Sequence, residues 1–325
     1  MLAPFTDLVT PMAVRVAATL RLADHIASGA DRVDALARRT GTDPDALGRL
    51  LRHLRCHGVF AEPSPDRFAL TEISELLRSD HPAGMRAAFD LDEFGGRMDL
   101  AFTGLMHTVR TGRPAWETVF GAPFWEYLAA EPAIAASFDA SMAGSTRTGA
   151  ATAYDWSAVR HVVDVGGGTG ALVAEILAAQ ADIRATLVDL PETVERGRQR
   201  LAERGVAARC EFAGQSFFDP LPAGADVYLL SAVLHDWDDE PAIAILRRCA
   251  EAAGAHGRVV IVESHGTAGD DPAMFAEMDL RMLVLAGGRE RTVEQYRRLA
   301  AAAGLATVGA DTTAAGLVVI DCRPA

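Results

Sequence analysis

The chain has 325 residues, enough for two domains, and half of it is hydrophobic, so a sizeable core can form. Forty-four acidic residues against 31 basic ones leave a net charge of −13, which argues against general nucleic-acid binding, since that requires a basic footprint. Cys56, Cys210, Cys249 and Cys322 are scattered, with no C-x-x-C pair or His/Cys cluster of zinc spacing, as in the reduced thiols of a cytoplasmic protein. Asp7, Arg15, Arg21 and Asp24 interrupt the first apolar stretch, so no signal-type segment is expected there. No stretch approaches the roughly 18 apolar residues of a membrane helix.

Residues 4–27 are predicted to form an apolar helix, with Val9, Met12, Val16, Leu20 and Leu22 near helical spacing. "VDALARRTG" reads as a short helix with a glycine stop. "TDPDALGRLLRHLRCHGVF" has an Asp-Pro start at Asp43 and a Leu47/Leu50/Leu51/Leu54 stripe. "FAEPSPDRFALT" predicts a hairpin that turns at Pro65-Asp66. Helix, helix, hairpin is a winged-helix outline. Residues 31–60 hold six arginines against four aspartates, too small an excess for a DNA-reading helix, so a folding or dimerisation module is the preferred reading.

Residues 98–150 read as mostly helical, with a Gly-, Pro- and aromatic-rich connection, "TGRPAWETVFGAPFWEYLAAEP", and a small-residue helix, "AIAASFDASMAGSTRTGA". Strands are predicted at 161–165, 185–189, 208–213, 225–231, 258–263, 305–310 and 317–322, with helical stretches separating the first five. That alternation predicts an α/β fold with a parallel sheet covered on both faces, closed by a final hairpin. The predicted domains are 1–97 and 98–325.

"VVDVGGGTGALVAEIL", Val162 to Leu177, runs a strand into a glycine loop and a helix. The spacing Gly166-x-Gly168-x-Gly170 puts Ala171 where a dinucleotide fingerprint needs its last glycine. A P-loop needs a lysine, and all basic residues here are arginine. Asp189, 19 residues past Gly170, ends the next strand, where a carboxylate can accept both ribose hydroxyls. A ligand with a free ribose diol and no diphosphate fits this set, and S-adenosylmethionine meets that description.

"DVGGGTG", "LVDLPETVERG", "SFFDPLPAGADVYLL", "VLHDWDDE", "GRVVIVE" and "MDLRML...GGRERT" follow one another in order. Together they resemble the S-adenosylmethionine-dependent small-molecule O-methyltransferases of plant phenylpropanoid and bacterial aromatic polyketide pathways. The likeness covers nearly the whole chain, including the winged-helix start and "GRPAWETVFGAPFWEYL". It implies a Rossmann-like class I methyltransferase domain: a mostly parallel seven-stranded sheet with its last strand antiparallel. An N-terminal, mostly helical dimerisation domain would precede it. It further implies S-adenosylmethionine as methyl donor, S-adenosylhomocysteine as product, no metal, a homodimer and a small hydroxylated aromatic acceptor, with no nucleic acid or membrane partner.

Methyl transfer to oxygen needs a positioned acceptor and a base, because a phenol with pKa near 10 is mostly protonated at neutral pH. His235 follows the strand "ADVYLLSAVL" at the carboxyl edge of the sheet, where ligands bind in open α/β folds. By resemblance His235 is the general base, flanked by Glu263 and Glu290. Asp164, Gly166, Gly168, Asp189, Ser216, Phe217, Ser231 and Trp237 would bind the cofactor, with Trp237 stacking on the adenine; Ser216 stands where many relatives carry aspartate. Phe138, Met142 and Met282 would line the acceptor pocket. Asp236, Asp238 and Asp239 suggest a metal beside His235, but Asp238 or Asp239 with Glu240 and Pro241 reads better as a helix start. The competing functions are a fold relative that binds the cofactor without methylating, a ligand-sensing winged-helix regulator, and an NAD-dependent oxidoreductase.

Overall fold

The computed structural model describes residues 6–144, 150–264, 272–313 and 316–325. The chain divides into two compact units, Met1–Thr103 with Glu126–Ser141, and Gly104–Trp125 with Met142–Ala325. The small-residue helix predicted to run on toward the glycine loop is Pro132–Gly144; residues 145–149 of that prediction lie outside the described residues.

In the first unit the predicted N-terminal helix is two helices, Val9–Thr19 and Leu22–Ala27. The break falls at Arg21, whose φ of 50° is left-handed and costs an L-residue about 1–2 kcal/mol. The turn buries Leu22, Ala23 and Ile26. Hydrophobic spacing runs unbroken across it, which is why periodicity reads one helix. Helix Val33–Thr40 stops at Gly41, and Pro44–Cys56 starts at Asp43, whose carboxylate accepts the Ala46 N–H at 2.8 Å. Leu47, Leu51 and Leu54 of the leucine stripe are buried, and Leu50 is half-buried. Strands β1 (Phe60–Ser64) and β2 (Arg67–Leu70) form the hairpin around Pro65-Asp66, and Phe60 and Phe68 close the core.

The second unit carries a seven-stranded sheet of β3 (His161–Val165), β4 (Arg184–Asp189), β5 (Cys210–Gly214), β6 (Val227–Ser231), β7 (Arg258–Ser264), β8 (Leu305–Thr312) and β9 (Leu317–Pro324). Their order is β5-β4-β3-β6-β7-β9-β8. The first five are parallel; β9 lies antiparallel to both β7 and β8. This is the expected mostly parallel α/β sheet with its last strand antiparallel. Its strands read as continuous apolar runs because both faces are buried, Val162, Val163 and Val165 among them.

One expectation fails. No helix separates β5 from β6 among the described residues; 215–226 is irregular. Pro220, Pro222 and Gly224 break helical hydrogen bonding, and the chain crosses there from the sheet edge to its centre. The strand order reverses between β3 and β6, so the crevice outside their carboxyl ends is where a ligand is expected.

Candidate active site

The loop after β3 lies over a buried acid. Asp164 is 1 % exposed, and neither of its carboxylate oxygens has a hydrogen-bond partner among the described residues. Burial, then the charge of Asp189, pushes its pKa up to about 7. A Cβ on Gly167 would push against the ends of the Asp164 and Leu187 side chains, so glycine lets the loop lie on the buried acid without displacing them. Gly168 has a φ of 58° and open space where a Cβ would point. Its N–H donates to Asp189 Oδ2 at 2.9 Å, and the Leu190 N–H donates to Oδ1 at 2.7 Å. The N–H of Gly166 donates to Val188 O at 2.8 Å, so the loop is tied to the end of β4.

These groups suit a ligand with a cationic end and a ribose diol. Asp164 offers a desolvated carboxylate, Asp189 stands at the end of β4 with its carboxylate tied to the loop, and Gly168 leaves an open approach. Asp164 also burdens the protein. Its raised pKa makes the native state hold a proton that the unfolded chain loses, so stability falls as pH rises from about 4 to about 7. The Asp164→Asn variant is therefore expected to melt higher than the parent at pH 8 and to bind S-adenosylhomocysteine at least about tenfold more weakly. Calorimetry and thermal melts check both; unchanged affinity would remove Asp164 from the site.

The second cluster surrounds His235, in a short 3-10 turn, Leu234–Asp236. Ala232 has a φ of 57°, a left-handed turn straight after β6. It aims the Val233 and Leu234 N–H groups at Glu263 Oε1, at 3.1 and 3.0 Å. Glu263, fully buried on β7, has its other oxygen 3.7 Å from His235 Nδ1. Glu290 Oε1 lies 3.0 Å from the same nitrogen. On the other side, Asp236 Oδ1 is 3.5 Å from Nε2. Burial alone would lower the imidazole pKa, but Glu263, Asp236 and Glu290 together push it up to about 9.

A third segment holds this turn. Helix Pro272–Ala286 ends where the Gly287 and Gly288 N–H groups donate to Met282 O, both at 3.1 Å. Gly288 lies against the His235 turn so tightly that a Cβ would meet His235 O at 2.1 Å. The Arg289 N–H donates to His235 O at 2.8 Å, and the Glu290 N–H to Asp279 Oδ1 at 2.9 Å. Arg291, 1 % exposed, donates from Nη1 to Leu234 O at 2.8 Å and from Nη2 to Trp237 O at 2.7 Å. Asp279, Gly288 and Arg291 were not singled out by sequence. The signal was the paired glycine beside the glutamate in "GGRERT", which marks a close backbone approach.

Residues 102–306 match the family model of the O-methyltransferase domain, and residues 5–80 that of the O-methyltransferase dimerisation domain. The chain belongs to the O-methyltransferase family. The methyl donor of that family is S-adenosylmethionine. A relative from Streptomyces carzinostaticus, 2,7-dihydroxy-5-methyl-1-naphthoate 7-O-methyltransferase, is 50 % identical over 92 % of this chain and 90 % of its own. Another, aclacinomycin 10-hydroxylase RdmB of Streptomyces purpurascens, is 47 % identical over 97 % of this chain and 86 % of its own. A crystal structure of the O-methyltransferase NcsB1 of neocarzinostatin biosynthesis, with S-adenosylmethionine and 2-hydroxy-5-methyl naphthoic acid, superposes with a TM-score of 0.94. It is 46 % identical, over 100 % of this chain and 99 % of that one.

In the methyltransferase, Phe217 lies against the glycine loop, its ring 3.4 Å from where a Gly166 Cβ would stand, and belongs to an aromatic cluster. Phe217 meets Trp237 edge-on at 5.9 Å, and Phe218 meets the same indole at 5.1 Å. Trp125 lies nearly parallel to Trp237, 14° apart, with centroids 6.2 Å apart. The Trp237 Nε1–H is buried with no partner among the described residues. Ser216 Oγ accepts the Phe218 N–H at 3.2 Å, a local turn bond. Ser231 ends β6, half-buried. Met282 is half-buried on the helix that leads to Glu290. Phe138 belongs to the first unit, its ring edge-on to Phe94 at 5.0 Å, and Met142 is 44 % exposed on the same helix as Phe138.

Asp238 caps helix Asp239–Ala253 through its bond to the Asp239 N–H at 2.8 Å, the helix start read from sequence. Among the described residues no group of three His, Cys, Asp or Glu could hold a metal ion, and no helix is long and apolar enough to cross a membrane.

Proposed function

We propose that this methyltransferase moves a methyl group from S-adenosylmethionine to a hydroxyl of a polyketide-type aromatic acceptor, in the chemical class of a hydroxynaphthoate, with His235 as general base. The observation that carries the reading is the cage of Glu263 and Glu290 on His235 Nδ1, which leaves Nε2 as the nitrogen for an acceptor hydroxyl. The cofactor supplies an already activated methyl group. His235 takes the hydroxyl proton, and the oxygen becomes a competent nucleophile. The buried carboxylates hold the ring's orientation and stabilise the imidazolium. An imidazole held at about 9 is nearly matched to a phenol near 10, so the transfer costs only about 1–2 kcal/mol.

In the same reading Asp164, Gly166, Gly168, Asp189, Ser216, Phe217, Ser231 and Trp237 hold the cofactor, and Phe138, Met142 and Met282 line the acceptor pocket. Residues 1–97 form a dimerisation domain and 98–325 the catalytic part. Exposed Leu8 and Val9, 76 and 64 % accessible, support a homodimer through the first unit. Unpaired Cys56, Cys210, Cys249 and Cys322 suit a cytoplasmic setting.

The test is incubation with S-adenosylmethionine and a panel of hydroxynaphthoates, read by mass spectrometry. A gain of one CH2, with equimolar S-adenosylhomocysteine, supports the reading. The hydroxylase relative favours a second reading, cofactor binding without methylation; a gain of one oxygen in the presence of reductant and dioxygen would replace the first reading by that one.

A further inference from the structure

Arg291 is a buried cation, and all but one of its hydrogen bonds go to one short stretch of chain, Leu234 to Asp239. Nη1 reaches Leu234 O at 2.8 Å and Arg289 O at 3.3 Å; Nη2 reaches Trp237 O at 2.7 Å. Nε and Nη2 both reach Asp239 Oδ1, at 3.1 and 2.8 Å. The two carbonyls taken from the turn lie immediately before His235 and two residues after it. Glu290 is the residue preceding Arg291 in the chain. The segment that brings the carboxylate to the imidazole therefore also grips the backbone on both sides of it.

Neither glutamate can do this. Glu263 accepts the Val233 and Leu234 N–H groups, ahead of the imidazole, and the Glu290 carboxylate meets the ring; Arg291 holds carbonyls on both sides of His235. A lysine could not either, because three geometrically separate acceptors need a planar fork. We propose that Arg291 is a positioning residue that holds the Leu234–Trp237 backbone in register with Glu290, and so determines where the His235 imidazole sits. This rests on the reading of His235 as base for its effect on turnover, and on geometry alone for its effect on the ring.

The test is built on a sign. The charged groups facing His235 are Glu263 from β7, Glu290 from the loop and Asp236 from its own turn, with Arg291 and Asp239 behind. Were Arg291 only a nearby positive charge, removing it would raise the imidazole pKa. If it positions the turn, removing it loosens the ring from Glu290 and the pKa falls.

The experiment is an NMR titration of the full chain with labelled histidine. His235 is assigned from the His235→Asn spectrum and compared in Arg291→Met and Arg291→Lys, alongside S-adenosylhomocysteine affinity and kcat. The expected result is a His235 pKa lower by about one unit or more in both variants and kcat at saturating cofactor down at least about tenfold, whatever loss of affinity follows from Trp237, whose carbonyl Arg291 also holds. A fall in pKa with kcat intact would uphold Arg291 as positioning residue and remove His235 as base. An unchanged or raised pKa in both variants, or failure of both to fold with S-adenosylhomocysteine present, would overturn the proposal.

Discussion

The His235→Asn variant is expected to lose about 10²- to 10⁴-fold in kcat while S-adenosylhomocysteine affinity changes by less than about twofold. In the proposed reading the residue faces the acceptor, with Nδ1 held by Glu290 and Glu263 and Asp236 Oδ1 3.5 Å from Nε2. Asparagine keeps a polar side chain in the cage but cannot take a proton. The parent's kcat/KM should climb with pH, one decade per unit, and level off near pH 9, where the imidazole is half neutral. The Glu290→Gln variant should move that plateau to lower pH, because it removes a charge and a hydrogen bond that favour the imidazolium. A profile already flat below pH 7, or an active His235→Asn variant, would end the base assignment. Stability carries the same signature. A folded pKa raised above the ordinary 6.5 gives a contribution that is full below about pH 6.5 and lost as pH rises through about 9. Melting temperature in that window should depend less on pH in the asparagine variant.

Substituting Gly288 by alanine should be nearly as damaging from outside the chemistry. A methyl group there would stand 2.1 Å from His235 O and 2.6 Å from the Asp236 carbonyl carbon, both backbone atoms that cannot swing away. Either the loop lifts, separating Glu290 from His235, or the His235 turn is displaced. Both raise the barrier, and a misplacement of about 1 Å can cost about 10²-fold in rate. Overpacking of this kind also destabilises by about 1–3 kcal/mol, so a lowered melting temperature should accompany the kinetic loss. The glycine loop is remote from this contact in sequence and is held by β4, so S-adenosylhomocysteine affinity should survive. Wild-type kcat in Gly288→Ala would mean that the two segments do not need their close approach.

The central strands β3, β4, β6 and β7 were legible because buried parallel strands are short apolar runs closed by glycine, proline, serine or aspartate, and the antiparallel β8 and β9 were legible from the short polar link between two strand-like segments. The helix start at Asp238 was legible for a similar local reason. The break at Arg21 was not, since apolar spacing continues through it and only the packing of Leu22 and Ile26 repays a left-handed arginine. The missing helix between β5 and β6 was obscured by the regular alternation on either side of it. Within the site, Glu263, Glu290 and His235 came from likeness to a family, and the structure brings the three together. Arg291 was illegible: every basic residue in the chain is arginine, so nothing in composition distinguishes one buried guanidinium from thirty others. The orphaned state of Asp164 likewise depends on what the fold places around it.

The hooks between the His235 turn and the Gly287–Arg291 loop have a consequence for redesign. Gly288, the Arg289 N–H and the Arg291 bonds to Leu234 O and Trp237 O act on main-chain atoms, so the placement of the His235 turn rests largely on backbone contacts. Under the proposed assignment, a library confined to Phe138, Met142 and Met282 is expected to change acceptor preference while the His235 turn keeps its hold on the Gly287–Arg291 loop. On that assignment, selectivity and chemical power would be separately adjustable traits of one chain.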